Sequence, residues 1–403
     1  MSTTTSDGSQ RPAYQGPAIL SYGFRPFFLL GAICAGLAIL VWLPVFHGEL
    51  SLHSAFAPRD WHVHEMLFGY LPAVMTGFLF TAMPNWTGRL PIQGRPLLLL
   101  VLVWIAGRIA VTVSADTGWL LAFLIDVSFL ALVVAMTARE IIAAKNWRNL
   151  KVILLIGLML TGNIAFHVEA HTNGGADDSV RIGLAVVILL ISLIGGRIIP
   201  NFTRNWLARE KPGRLPAPFG RFDMAIVAIT ALVLVLWIAR QQGLMVGSLL
   251  ALVGVLHLVR LGRWAGDRTF GERLVLILHV GYAFVPLGFL LGAMAAIGLI
   301  PASAGIHAWM AGAAGVMTLA VMTRASLGHT GQPLTASLPT QAIYVAAIVA
   351  ALARICAAID LQLNEALLHL AAGAWVAAFL GFAMVYGPAL LGVDKRSRRQ
   401  AQT

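Results

Sequence analysis

Two histidines one residue apart, His62 and His64 in Trp61-His62-Val63-His64-Glu65-Met66, open an otherwise apolar stretch of this 403-residue chain. Imidazole ligates haem iron and copper, and it is the side chain that gains or loses a proton most readily near neutral pH. On a helix of ~3.6 residues per turn, an i, i+2 pair projects about 200° apart around the axis. One helix could therefore present one imidazole to each of two centres. Glu65 and Met66 follow His62 at i+3 and i+4, on its face, where a carboxylate can orient the ring or accept a proton.

Nine further histidines extend the set. His167 and His171 flank Glu169 at a four-residue spacing that can chelate one ion from one helical face, although His171 stands close to a loop. His279 lies inside a long apolar run, in Leu278-His279-Val280-Gly281-Tyr282, where a lone imidazole wants a partner or a metal. His307 and His369 each stand near the start of an apolar run, and His329 follows one, in Ser326-Leu327-Gly328-His329-Thr330-Gly331. His257, beside Arg260, reads as an interfacial residue, and His47 and His53 as loop residues without a specific task. Arg197 follows Gly195-Gly196, where close helix approach would allow it to pair with a haem propionate. Arg25, Arg108 and Arg354 read as anchors whose long stems carry the charge to the headgroups. Met310, Met317 and Met322 could offer thioethers to Cu(I), but their spacing suits packing at least as well.

The elements that must position these residues are membrane spans. The composition is 59% hydrophobic and 11% charged, with a mean hydropathy of +0.82, whereas a soluble domain carries roughly 25% charged residues. A span needs about 20 mostly apolar residues. Twelve such stretches are expected near 25–47, 61–84, 96–115, 118–138, 150–171, 180–200, 221–240, 244–262, 272–298, 303–324, 338–358 and 364–391. The expected fold is thus an all-α integral membrane protein, one twelve-helix domain over residues 25–391. Residues 1–24 read as a disordered cytoplasmic tail, residues 392–403 as a basic cytoplasmic tail, and the Pro- and Gly-containing loop 201–220 as a junction between six-helix halves.

The net charge of +11 resides in short Lys/Arg blocks between the apolar runs, which argues for membrane topology and against nucleic acid. Arg89, Arg139, Arg148, Arg204, Arg214, Arg263 and Arg398 all fall on one side of the twelve-span scheme, so both termini are expected in the cytoplasm. No charged-then-apolar leader with a clean cleavage site precedes the first span, which reads as an uncleaved anchor. His62, His64, His167, His307 and His369 then share the periplasmic leaflet. The two cysteines form neither a CxxC nor a CxxCH pair, so any haem would be non-covalent, of b type. Nor does the sequence carry a Walker A motif, a Rossmann fingerprint or a nucleophile elbow.

Several segments resemble the NnrS family of haem- and copper-containing membrane proteins. They are Gly23-Phe24-Arg25-Pro26-Phe27-Phe28, the segment from Trp61 to Tyr70, Thr76-Gly77-Phe78-Leu79-Phe80-Thr81-Ala82, Gly195-Gly196-Arg197-Ile198-Ile199-Pro200-Asn201-Phe202-Thr203, Leu278 to Tyr282, and His307 through Gly331. The resemblance runs from about residue 20 to 390. It implies a bacterial inner-membrane protein of the nitric oxide and nitrosative-stress response, often found alongside denitrification. It also implies haem and copper as cofactors, with His62, His64, His167, His279, His307 and His329 as ligand positions.

On this basis the chain is expected to bind nitric oxide at a histidine-ligated metal. Reduction of nitric oxide would make it an oxidoreductase, and would require an electron donor and a proton relay, for which Glu65 and Glu169 are candidates. A proton-coupled twelve-helix transporter and a metal-free assembly factor are the alternatives.

Overall fold

The computed structural model describes residues 14–210 and 212–393, without the side chain of Glu210. The expected tail 392–403 and the first half of the expected tail 1–24 therefore fall largely outside the described residues.

Twelve helices are long and apolar enough to cross a membrane, and each coincides with one expected stretch. They are α1 (Phe24–Phe46), α2 (Pro58–Thr87), α3 (Arg95–Thr112), α4 (Trp119–Ala143), α5 (Trp147–Asn173) and α6 (Asp177–Arg209). There follow α7 (Arg221–Ala239), α8 (Leu244–Arg268), α9 (Arg273–Ala296), α10 (Ala302–His329), α11 (Leu338–Ile359) and α12 (Asn364–Leu390). Among the described residues there is no strand. A helix satisfies its own backbone groups, which is what lets an apolar run of this length cross lipid. The protein is a multi-pass membrane protein.

Consecutive helices mostly pack side by side, and α1 closes the ring against α12. Four helices form the centre: 72% of the apolar window of α2 is buried, and 67% in each of α6, α9 and α10. The other eight are half-buried or less and turn leucine, isoleucine and valine outward, as lipid-facing surfaces do. Three of the four central helices contain a π-helical segment, at Glu65–Tyr70 in α2, Ile191–Gly195 in α6 and Ala308–Val316 in α10. Such segments are rare and concentrate at functional sites.

The near face carries loops 47–57, 113–118, 174–176, 240–243, 297–301 and 360–363, and the far face carries 88–94, 144–146, 210–220, 269–272 and 330–337. Loops on each face bond to one another: Ala115 N donates to His53 O on the near face, and Gly94 N to Leu20 O on the far face, each at 2.9 Å. Arg25 is more than an anchor. Its Nη1 donates to the carbonyls of Ala389 and Leu390, at 2.9 and 3.0 Å, tying the start of α1 to the last turn of α12.

Candidate metal centres

His62 and His64 point into different surroundings, as their 200° separation demands. His64 is fully buried among charged and polar groups from α3, α4 and α5. Its Nε2 lies 3.0 Å from Asn163 Oδ1 and 3.2 Å from Asp126 Oδ2. Both neighbours accept, so Nε2 carries the proton and Nδ1 is left without a hydrogen-bond partner, 3.6 Å from Glu65 Oε1. His167 Nε2 donates to the same Asp126 oxygen at 3.0 Å, and Asn163 Nδ2 donates to it at 2.8 Å. Asn163 and His167 are one turn apart on α5, which places both on the face toward Asp126. The rings of Phe56, Phe68, Phe123 and Phe166 pack around the two imidazoles and keep water away.

Arg108 on α3 closes this cluster. It bonds to Glu65 Oε1 at 2.7 Å and to Asp126 Oδ1, and its side chain is only 12% exposed, so the snorkelling expected of it is replaced by a buried ion pair. The local chain makes room: a Cβ on Gly69 would stand 2.3 Å from Arg108 Nη1, so only glycine lets the guanidinium lie against α2. With neutral imidazoles, two carboxylates face one guanidinium, and the cluster carries one negative charge in excess. Buried charge has to be matched. One donor atom each from His64, Asp126 and His167 falls within 4.8 Å of the others, and an ion there would take the place of the imidazole protons that now converge on Asp126. Two imidazoles and a carboxylate form a donor set suited to copper, zinc or iron.

His62 faces the other way, into a cavity of about 790 Å³ that it shares with His307, Arg354 and Met310. Trp42, Trp237, Trp309 and Trp375 form much of its apolar wall, and Gln241, Pro301 and Asn364 bring it to the near face. The His62 ring stacks on Trp42, with centroids 4.6 Å apart and planes at 12°, and its Nδ1 is buried without a partner. His307 Nδ1 donates to Ser303 O at 2.6 Å, one turn earlier on α10. A carbonyl can only accept, so the lone pair of His307 sits on Nε2, the arrangement common in metal-binding histidines. Arg59 and Arg181, which also line the cavity, pair with Asp60, Asp177 and Asp178. Arg354 has no ion-pair partner among the described residues. The cavity therefore offers imidazoles, an apolar slot and an unmatched cation. A haem has the complementary features: iron, a flat apolar ring and anionic propionates. The donors and the wall fit it, and the volume lies in the range of about 300–1,000 Å³ usual for ligand cavities.

The other expected site residues are not brought to these centres. Glu169 is half-buried and caps α6: its Oε1 accepts from Asp178 N at 2.9 Å, and its Oε2 from Ser179 N and Oγ at 2.8 and 2.5 Å. With both oxygens engaged by a helix N-terminus, it is placed as a cap rather than a relay. His171 stacks on Trp119 at 3.9 Å. His329 is exposed and packs on Phe24, at a centroid distance of 5.4 Å. Arg197 lies over the Phe219 ring at 5.1 Å, toward the far face. His279 is buried there too, with Nε2 2.9 Å from Thr203 Oγ1 and Nδ1 unpartnered. Met317 and Met322 are buried in the helical core and do not line the cavity.

Sequence reasoning passed over three polar residues. Asp126 and Asn163 build the His64 centre, and Asp126 is a lone carboxylate in the middle of an apolar span, a signal strong enough to find it. His257, expected at an interface, is fully buried. It bonds to Thr230 Oγ1 at 3.0 Å and Tyr282 OH at 2.8 Å, beside the buried Arg260–Asp223 ion pair at 2.8 Å.

Fold and site together define a multi-pass helical membrane protein whose central helices carry two adjoining histidine centres. The sequence profile described as NnrS protein matches residues 18–393, nearly the whole chain. The chain belongs to the NnrS family, and membership suggests a haem- and copper-associated protein linked to nitric oxide and nitrosative stress. No curated protein sequence matches it.

Proposed function

We propose that this protein binds nitric oxide at a haem held in the large cavity, next to a copper ion held by His64, His167 and Asp126. The observation that carries this reading is the opposite charge demand of the two centres. The Arg108 cluster has an excess negative charge and a compact donor set for a cation, whereas the cavity has an unpaired guanidinium and room for an anionic, flat, apolar group.

When bound, haem iron supplies a site for nitric oxide, and copper supplies a redox-active neighbour. The remaining work belongs to the chain. His62 and His307 offer imidazole nitrogens to the cavity, and Trp42 and the Ser303 carbonyl fix their orientation. Arg354 would hold a carboxylate, and the tryptophan walls exclude water. Nitric oxide is small and crosses lipid, so a site inside the bundle needs no wide polar channel. Glu65, held by Arg108, is the carboxylate that could pass a proton between the centres. Turnover would further require an external electron donor.

We further propose that residues 25–391 form one domain in the bacterial inner membrane, with both termini in the cytoplasm. The basic far-face loops support that orientation. The functional test is an optical spectrum of detergent-purified protein, reduced minus oxidised, with haem and copper measured on the same sample. A b-type spectrum that shifts on adding nitric oxide is expected. Protein free of both metals after expression with both supplied would refute the reading. Binding without consumption of nitric oxide would assign sequestration in place of reduction.

A further inference from the structure

Three side chains outside both centres converge on the near face. His47 follows the last residue of α1, and Glu365 and His369 stand in the first turns of α12, the two helices that close the ring. His47 Nε2 lies 3.4 Å from Glu365 Oε1, and His369 Nδ1 lies 3.4 Å from the same oxygen. The imidazoles stack at a centroid distance of 5.5 Å and an angle of 16°. His369 Nδ1 also bonds to the Glu365 carbonyl at 2.9 Å, which steadies its ring against the helix. One donor atom from each of the three residues lies within 4.8 Å of the others.

A surface ion pair accounts poorly for this arrangement. If both imidazoles were protonated, two like charges would lie face to face over a single carboxylate. If both were neutral, the carboxylate would have no counter-charge. A dipositive ion meets all three groups at once. The site is open to water, with side-chain exposures of 24% for His47, 65% for Glu365 and 55% for His369. Phe46, Asn364 and Leu368, neighbours of these residues in sequence, line the large cavity, so the cluster stands at its rim.

We propose that His47, Glu365 and His369 form a surface site for a divalent first-row transition ion, with two nitrogens and one oxygen from the protein and water in the remaining positions. Copper(II) binds such a set most tightly among these ions, and zinc(II) less so. The site depends on neither haem nor nitric oxide, so it stands or falls apart from the proposed function.

The test is titration of the detergent-purified full-length protein, carrying its resident metals, with copper(II), followed by electron paramagnetic resonance. Wild type is expected to show a copper(II) signal with hyperfine structure from two nitrogens. His47→Asn and His369→Asn should each abolish it. Glu365→Gln should weaken it by about tenfold or more. His64→Asn should leave it in place, separating it from the buried centre. All these surface variants should keep the wild-type melting temperature. A double variant of His47 and His369 that takes up as many copper ions as wild type, at the same affinity, overturns the proposal. So does a wild type that shows no such signal.

Discussion

His64 and Asp126 meet across α2 and α4 with an imidazole nitrogen 3.2 Å from a carboxylate oxygen, in a place that excludes water. Asp126 also receives His167 and Arg108, so one carboxylate organises four helices. The histidine one residue pair earlier, His62, takes no part in it and looks into the neighbouring cavity.

That division predicts separable losses. His62→Ala and His307→Ala should remove haem absorbance and leave most copper, whereas His64→Ala and His167→Ala should do the reverse. Pyridine haemochrome assay and elemental analysis on the same preparations read this directly. Loss of one and the same metal from both the His62 and the His64 variants would sink the two-centre arrangement.

Arg108 and Asp126 should differ sharply on substitution. Arg108→Met leaves Glu65 and Asp126 buried without their cation, which costs about 3–5 kcal/mol. Asp126→Asn keeps the Arg108–Glu65 pair at 2.7 Å, so it should cost clearly less while abolishing copper binding. Thermal unfolding in detergent orders the two. Equal destabilisation would mean that the excess charge does not exist as drawn.

Gly69→Ala tests whether the guanidinium is fixed. The added Cβ would meet Arg108 Nη1 at 2.3 Å, and two carboxylates prevent the arginine from retreating, so a loss of about 1–3 kcal/mol is expected. Gly157→Ala on α5, where nothing lies within 4 Å, is the matched control and should change stability by no more than about 0.5 kcal/mol. If the two variants melt alike, Arg108 is free to move.

Glu169→Ala should behave as the loss of a helix cap. A cost of about 0.5–2 kcal/mol is expected, with haem, copper and any nitric oxide consumption unchanged per folded molecule. A specific fall in consumption at constant metal content would restore Glu169 to the proton path.

The twelve spans were legible because a helix in lipid must be apolar for about 20 residues at a stretch, and the chain announces each one. The divergence of His62 and His64 followed from helix geometry alone. What periodicity could not supply was the partner of each ring. The meeting of His64 with Asp126, Asn163 and Arg108 depends on which helices adjoin and how they are rotated, and neighbours of that kind leave no spacing to read. The arginines illustrate the limit: a snorkelling side chain and a buried ion pair look identical in sequence, and only packing distinguishes Arg108 from an anchor. Likewise Glu169 looked like a relay because it sits between two histidines. The nearby start of α6 gave its oxygens a simpler task.

The π-helical turn at Glu65–Tyr70 sets the phase of α2. A helix with one residue more than the α-spacing requires is rotated, beyond that point, by about 100° relative to its own continuation. Deleting a single residue between Glu65 and Tyr70 would relax the turn to ordinary α-geometry and swing His62 and His64 together by that angle, each away from its own surroundings. The length of this short segment is thus an aiming device for both rings, and the span should be far less tolerant of an insertion or deletion than of a conservative exchange.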